Sequence, residues 1–307
     1  MGPVLITGAS GFVGRHLVRW LTARGWRVRA LARNPSALPA MPGLETAVLP
    51  DLAAPCNWRD ALAGVTHVVH LAGLAHASAA IPEALYHQVN AVAAGALAEA
   101  AADRKLERFV FVSSVRAQSG PSSAGILNES SPPSPTDAYG RAKLEGERLV
   151  RAAGNAFVIL RPVLIYGAGV KGNMAALAKL ARMPVPLPFA GLDAHRSLLD
   201  IAGFNAAVEL ALSCPAAMGR TLLVADPEPV SIPDLIARMR EAVGKPAMLF
   251  AMPGRTFEHA LRLGGRQALL SRLSESLVVD TTQLRALGWA PPRPATQAIR
   301  AMMLGRS

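Results

Sequence analysis

The chain has 307 residues, enough for one large or two modest domains, and at 51% hydrophobic and 17% charged it is not a disordered sequence. Its 32 Lys+Arg against 21 Asp+Glu give a formal net charge of +11. The bases nevertheless fall singly among apolar residues, as in 24–33 and 255–272, not in the stripe that nucleic-acid binding uses. Two cysteines, Cys56 and Cys214, make neither a disulfide framework nor a metal site, so a reducing cytoplasm is expected. No charged segment leads into an apolar one at the start, and no signal peptide is expected. Residues 61–82 carry no Asp, Glu, Lys or Arg, but His67, His70, Gly64, Gly73 and Pro82 make them a strand and turn, not a membrane span.

Strand and helix alternate through the first 160 residues. Short apolar runs predict strands at 3–7, 27–31, 46–50, 66–72, 108–114 and 156–162, the last ended by Pro162. Apolar spacing predicts helices at 12–24, 83–103 and 138–153. Strands apolar throughout and separated by helices imply a parallel sheet covered on both faces, an α/β fold. Asn128, Pro132, Pro133 and Pro135 mark a loop over 128–136. Beyond 165, prolines and glycines break the rhythm. A strand is predicted at 220–226, a helix at 231–243 capped by Ser231 with Pro233 in its first turn, and a closing helix after a proline turn. The expected division is a dinucleotide-binding part over 1–165 and a smaller substrate-binding part over 166–307, with 198–226 returning to the first sheet.

Gly8, Gly11 and Gly14 stand at three-residue spacing between the first strand and the first helix. Such glycines allow a tight turn, backbone approach to a pyrophosphate, and close packing of helix on strand. The unpaired N–H groups of the helix end then face the diphosphate. In this context they predict a Rossmann doubly wound sheet. The second strand ends in Ala30-Leu31-Ala32-Arg33 with no carboxylate for a ribose. Arg33 either faces a 2′-phosphate or is simply solvated, and the missing carboxylate favours NADP(H) over NAD(H). Asp51 follows the third strand and either contacts adenine or caps its loop.

Ser113-Ser114 close the fifth strand, and Tyr139 and Lys143 lie four apart on the next helix, on one face. A free tyrosine has a pKa of about 10, and reaching about 7 takes roughly 4 kcal/mol of differential stabilisation from a nearby cation. Lys143 is the expected source, with a serine hydroxyl orienting the substrate oxygen. His67, His70, His76 and His87 straddle strand, loop and helix without zinc spacing, so no metal is expected. Met302 and Met303 read as packing.

With these residues assembled, the sequence resembles the extended short-chain dehydrogenase/reductase family, in its nucleotide-sugar epimerase/dehydratase branch. "TGASGFVG", "HLAG", "VSS", "YGRAK", "LRPVLIYG", "RSLLDI" and "LGWAPP" occur in the family's order. The resemblance implies that Gly8, Gly11, Phe12, Val13 and Gly14 cradle the pyrophosphate and that Leu71, Ala72 and Gly73 line the cofactor. Leu52, beside Asp51, and Pro162 are assigned to the cofactor as well. Ser114 and Tyr139 act on the substrate, and Lys143 holds both Tyr139 and the nicotinamide ribose. Arg196 and Asn173 match the diphosphate contacts, Arg116 is assigned to the substrate, and Arg272 is chosen over Arg266 as a second diphosphate arginine.

The branch's 4,6-dehydratases carry an Asp-Glu pair where this chain has Val115-Arg116, which argues against dehydration. "RPVLIYGAGVKGNM" and "PLPFAG" resemble bacterial reductases of 4-keto-6-deoxy UDP-sugars, enzymes that make UDP-N-acetylquinovosamine for surface polysaccharide. The expectation is therefore an NADP(H)-dependent reductase of a UDP-linked sugar. Its rivals are a UDP-sugar 4-epimerase with tightly bound NAD and a dinucleotide-sensing regulator, which has no need of the Ser–Tyr–Lys set. A homodimer is expected through the helix of Tyr139 and the Ala-rich helix before it, though the same alanines suit packing within one chain.

Overall fold

The computed structural model describes residues 2–74, 80–154, 156–252 and 275–306. Strands β1 (Val4–Thr7), β2 (Val28–Ala32), β3 (Leu44–Val48), β4 (His67–His70), β5 (Arg108–Val112) and β6 (Phe157–Pro162) are joined after three short strands, β7 (Leu164–Tyr166), β8 (His195–Arg196) and β9 (Leu198–Asp200), by β10 (Thr221–Val224). The main sheet has seven strands in the order β10-β6-β5-β4-β1-β2-β3, and every pairing in it is parallel. This is the expected Rossmann-like α/β architecture. The order reverses between β4 and β2 on either side of β1, so the crevice lies at the carboxyl end of β1.

Alternation along each strand feeds two cores. Val4 and Ile6 face Leu17, Val18 and Leu21 of α1 (Phe12–Ala23), while Leu5 faces the opposite layer. That second layer contains α2 (Glu83–His87), α3 (Ala93–Asp103) and α4 (Ala138–Ala153). Leu97, Ala98 and Ala101 of α3 and Val150 of α4 are buried there with Trp58 and Leu62. A third core unites α5 (Gly172–Ala181) and α7 (Ile232–Glu241) with the closing helix Ala295–Met303, where Met302 and Met303 pack as expected. Helix α6 (Ile201–Ser213) places Phe204, Val208 and Leu212 against the first core beside α1. The remaining strand, β11 (Val230–Ser231), pairs antiparallel with β8, and β7 pairs with β9.

Two predicted elements are corrected. The third strand runs over Leu44–Val48, not 46–50, because it is a half-exposed edge and Pro50 supplies no N–H to extend it. The helix predicted over 83–103 is interrupted by a π turn at Gln88–Val92, where the Asn90 side chain leaves the helix to bond a distant backbone. The small residues of α3 allow α4 to approach within one chain. A Cβ on Gly95 would lie 2.8 Å from Leu149 Cβ, and one on Gly146 would lie 2.6 Å from the Asn90 carbonyl.

The C-terminal segment is clamped to this framework by charge. Arg293 donates to both oxygens of buried Asp200, at 2.7 and 3.0 Å. The Asp200 N–H donates to Asp226, whose carboxylate also accepts from the Tyr166 hydroxyl at 3.0 Å. Burial pushes Asp226 up to about 6. Removing Arg293 leaves the Asp200 charge buried and unpaired, so Arg293→Ala should lower stability to urea by about 3 kcal/mol. Arg148→Ala, which breaks an exposed pair with Glu145, should cost less than about 1 kcal/mol. Equal midpoints for the two variants would refute the clamp.

Candidate active site

The turn after β1 is built for close approach. Gly8 has φ +70°, and a Cβ there would meet the Ala72 backbone nitrogen at 2.9 Å. A Cβ on Gly14 would lie 2.3 Å from the Gly8 carbonyl oxygen, so α1 starts against the turn only because both are glycine. Gly11 is the N-cap and supplies no side-chain cap, and the first turn holds no acidic residue. The helix end therefore presents N–H groups without intrahelical partners at the sheet's crevice, as a diphosphate requires. The cradle fits a dinucleotide. Phe12 and Val13 are half-buried in it, with Phe12 edge-on to His16 at 5.4 Å.

The β1 and β4 ends are tied together by a threonine. Thr7 Oγ1 accepts from the Ala72 N–H at 3.1 Å and lies 2.8 Å from Nδ1 of its register neighbour His70. Burial, with the charge of Lys143, drives His70 down to about 3, so it stays neutral. The chain then passes through Leu71, Ala72 and Gly73. A Cβ on Gly73 would lie 2.6 Å from Asn90 Oδ1 and 3.6 Å from Lys143 Nζ. Asn90 holds both backbone groups of Leu74: Oδ1 accepts from its N–H at 2.8 Å, and Nδ2 donates to its carbonyl at 3.1 Å.

Helix α4 brings the polar set to the same end of the sheet. Asp137 caps it by accepting from the Gly140 N–H at 2.7 Å, and its other oxygen pairs with Arg116. Gly140 is needed because a Cβ there would lie 2.2 Å from the Arg116 carbonyl oxygen. The Ser114 hydroxyl accepts from the Arg116 N–H at 3.2 Å and holds down the pKa of the neighbouring Tyr139 phenol. Lys143 is buried, donating from Nζ to the Val112 carbonyl at 2.9 Å and lying 4.9 Å from the Phe111 ring centre. Burial pulls Lys143 down to about 8, opposed by Glu147.

One expectation is revised here. Lys143 points at the Val112 carbonyl and not at the phenol, and burial, the largest influence, raises Tyr139 above its ordinary value. The phenol therefore carries its proton at neutral pH.

Arg33 is exposed immediately after β2, and Asp51 is exposed and accepts from the Ala53 N–H at 3.0 Å. Leu52 is buried in the core with Trp58, and Pro162 is the buried last residue of β6, opposite Val224. Asn173 is exposed in the first turn of α5, and Arg196 on β8 donates to the Glu275 carbonyl at 2.9 Å. Arg266, Arg272 and His76 lie outside the described residues. Among the described residues no group of three His, Cys, Asp or Glu side chains is placed to hold a metal ion, and no helix is long and apolar enough to cross a membrane. Sequence reasoning passed over Asn90 and Glu147. A lone amide in an Ala-rich helix, and a carboxylate four residues past Lys143, were the available signals.

The profile of the NAD dependent epimerase/dehydratase family matches residues 4–224. A UDP-glucose 4-epimerase of Vibrio cholerae is 32% identical over 97% of this chain and 93% of its own. A ceramide reductase of Caulobacter vibrioides is 35% identical over 69% of this chain and 61% of its own. Among solved structures, MoeE5 in complex with UDP-glucuronic acid and NAD superposes with a TM-score of 0.77 at 26% identity, spanning 99% of this chain and 98% of that one.

Asn90→Ala removes both side-chain bonds to Leu74 and leaves part-buried backbone groups unpaired, at a cost of about 2 kcal/mol. Hydrogen exchange at the Leu74 amide should accelerate while exchange in β1 does not. Unchanged protection at Leu74 would mean that Asn90 does not hold this turn.

Proposed function

The chain belongs to the NAD dependent epimerase/dehydratase family, and from that premise we propose that it is an NADP(H)-dependent oxidoreductase reducing the C4 keto group of a UDP-linked 4-keto-6-deoxy sugar. The observation that supports this reading is that α4 brings the Tyr139 phenol, a proton donor, beside Ser114 at the crevice opened by the glycine turn. Reduction of a carbonyl needs a proton donor at the oxygen, whereas oxidation of an alcohol needs a base there.

When bound, the nicotinamide cofactor supplies the hydride that adds to C4. As the carbonyl π pair moves onto the C4 oxygen, Tyr139 donates its phenolic proton to complete the alcohol. Ser114 hydrogen-bonds the same oxygen and orients it. The Tyr139 oxyanion left behind is stabilised by Arg116, which already lowers the phenol's pKa from beside Asp137. Gly8, Gly11 and Gly14 hold the diphosphate of the dinucleotide, Leu71, Ala72 and Gly73 line it, and Arg33 takes the 2′-phosphate. Arg196 and Asn173 take the sugar-nucleotide diphosphate. The UDP group is supported by the UDP-sugar names of a relative and of a solved neighbour.

Epimerisation is the second reading, favoured by the 32% identity to UDP-glucose 4-epimerase across nearly the whole chain. Incubation with UDP-4-keto-6-deoxy-N-acetylglucosamine and NADPH separates the two. Loss of NADPH absorbance in step with alcohol formation is expected, and Tyr139→Phe should abolish it. Interconversion of UDP-sugars on tightly bound NAD, without net cofactor consumption, would overturn the reductase reading. Arg196→Ala should weaken sugar-nucleotide affinity by roughly 10- to 150-fold and leave NADPH affinity unchanged, since one charge-assisted phosphate contact is lost.

A further inference from the structure

Tyr139, Lys143 and Glu147 follow one another at four-residue spacing along one face of α4. Glu147 is fully buried, and both its oxygens are engaged. Oε1 accepts from the Ser113 hydroxyl at 2.6 Å and from Arg161 Nε at 2.8 Å. Oε2 accepts from Arg161 Nη2 at 2.7 Å and from Arg151 Nη2 at 3.1 Å, and Arg151 also donates to Thr221 Oγ1 at 2.8 Å. Ser113 directly follows Val112, whose carbonyl receives the Lys143 ammonium. Two successive residues at the end of β5 thus receive two successive turns of α4, and β6 reaches the second through Arg161.

A buried Arg–Glu pair is a poor device for stability alone, since apolar residues of the same volume serve as well or better. Its position beside Lys143 gives it a second use. We propose that Glu147 is a positioning residue for the reaction, holding Lys143 cationic and directed at the end of β5. The proposal rests on the reading of Lys143 as part of the reactive set.

The groups packed around Lys143 define its electrostatics. From its own helix come Tyr139, which is neutral, and Glu147. From β4 comes His70, which is neutral, and from β5 come the Phe111 ring and the Val112 carbonyl. Gly73 and the Asn90 amide close the remaining side, and Arg161 on β6 reaches the group only through Glu147. Burial already draws Lys143 down to about 8, with Glu147 the influence that opposes it. Without that carboxylate, burial carries Lys143 through neutrality, and the proton is lost at the pH of the reaction.

The chain has five lysines, Lys105, Lys143, Lys171, Lys179 and Lys245, so each can be followed by NMR after labelling lysine ε-carbons, with Lys143→Arg assigning the signal of interest. Wild-type Lys143 should titrate near 8. Glu147→Gln should move that midpoint down by about one pH unit or more. Because this variant strands the Arg161 charge, Glu147→Gln/Arg161→Met is made beside it. The double variant removes the buried guanidinium too, leaving only part-exposed Arg151, which keeps its bond to Thr221, and its Lys143 should still titrate below wild type. Glu147→Asp, which keeps the charge, should return the midpoint toward wild type, and Ser113→Ala should leave it in place. In turnover, the alkaline limb of the kcat profile should shift with the NMR midpoint while KM for the sugar nucleotide stays within about twofold. A folded double variant whose Lys143 titrates at the wild-type midpoint would reduce Glu147 to a staple of the fold. A shifted midpoint in a protein without activity toward any 4-keto sugar nucleotide would overturn the proposed reaction and leave the Lys143–Glu147 coupling standing.

Discussion

Helix α4 is fastened to the carboxyl ends of β5 and β6 by one buried carboxylate, and the geometry at the crevice depends on that attachment. Glu147 draws hydrogen bonds from Ser113 on one strand and Arg161 on the next, which fixes both the depth and the rotation of the helix. With rotation fixed, Lys143 donates to the Val112 carbonyl, and Tyr139 falls beside Ser114. The small residues Gly95, Gly140 and Gly146 let the helix sit this close, since a Cβ at each would lie within 3 Å of a neighbouring atom. Across the sheet, Thr7 performs the matching task, tying β1 to the turn after β4 so that the glycine loop and the residues around Gly73 keep one spacing.

The surplus of arginine, which at first suggests an anionic macromolecule, finds much of its use inside the fold. Arg240 is 1% exposed and donates to the carbonyls of Ala247, Val185 and Met183 at 2.7, 2.6 and 3.2 Å, closing the irregular segment after α5 onto α7. Arg29 does the same for Ala61 and Ala63 at 3.0 and 2.6 Å. Arg161 and Arg293 neutralise buried carboxylates. A guanidinium offers five donors in a fixed fork, so one side chain can satisfy several loop carbonyls that no regular ladder reaches. These buried and half-buried guanidiniums order irregular backbone or neutralise buried carboxylates.

How much of this was legible in the sequence follows from the range of the interactions. The glycine turn, the apolar strands and the Tyr139–Lys143 spacing are written in neighbouring residues, so the sheet and the reactive helix could be read directly. The π turn could not, because its cause is a bond from Asn90 to Leu74, sixteen residues earlier. Nor could the Glu147–Arg161 pair, which joins a helix to a strand fourteen residues on. The direction of Lys143 was misread for the same reason: four-residue spacing gives the shared face of Tyr139 and Lys143, but only the packed sheet supplies the Val112 carbonyl that turns the ammonium away from the phenol. Strands of two or three residues, such as β8 and β11, have too little periodicity to announce themselves.

The reaction itself is tested most directly by the fate of one hydrogen. Turnover of UDP-4-keto-6-deoxy-N-acetylglucosamine with NADPH fully deuterated at the transferable position should give a UDP-sugar one mass unit heavier, with the deuterium at C4 by NMR. A product that carries no deuterium, or a mixture of C4 epimers formed from a UDP-sugar alcohol without added NADPH, would contradict hydride transfer from an exchangeable cofactor to a keto sugar.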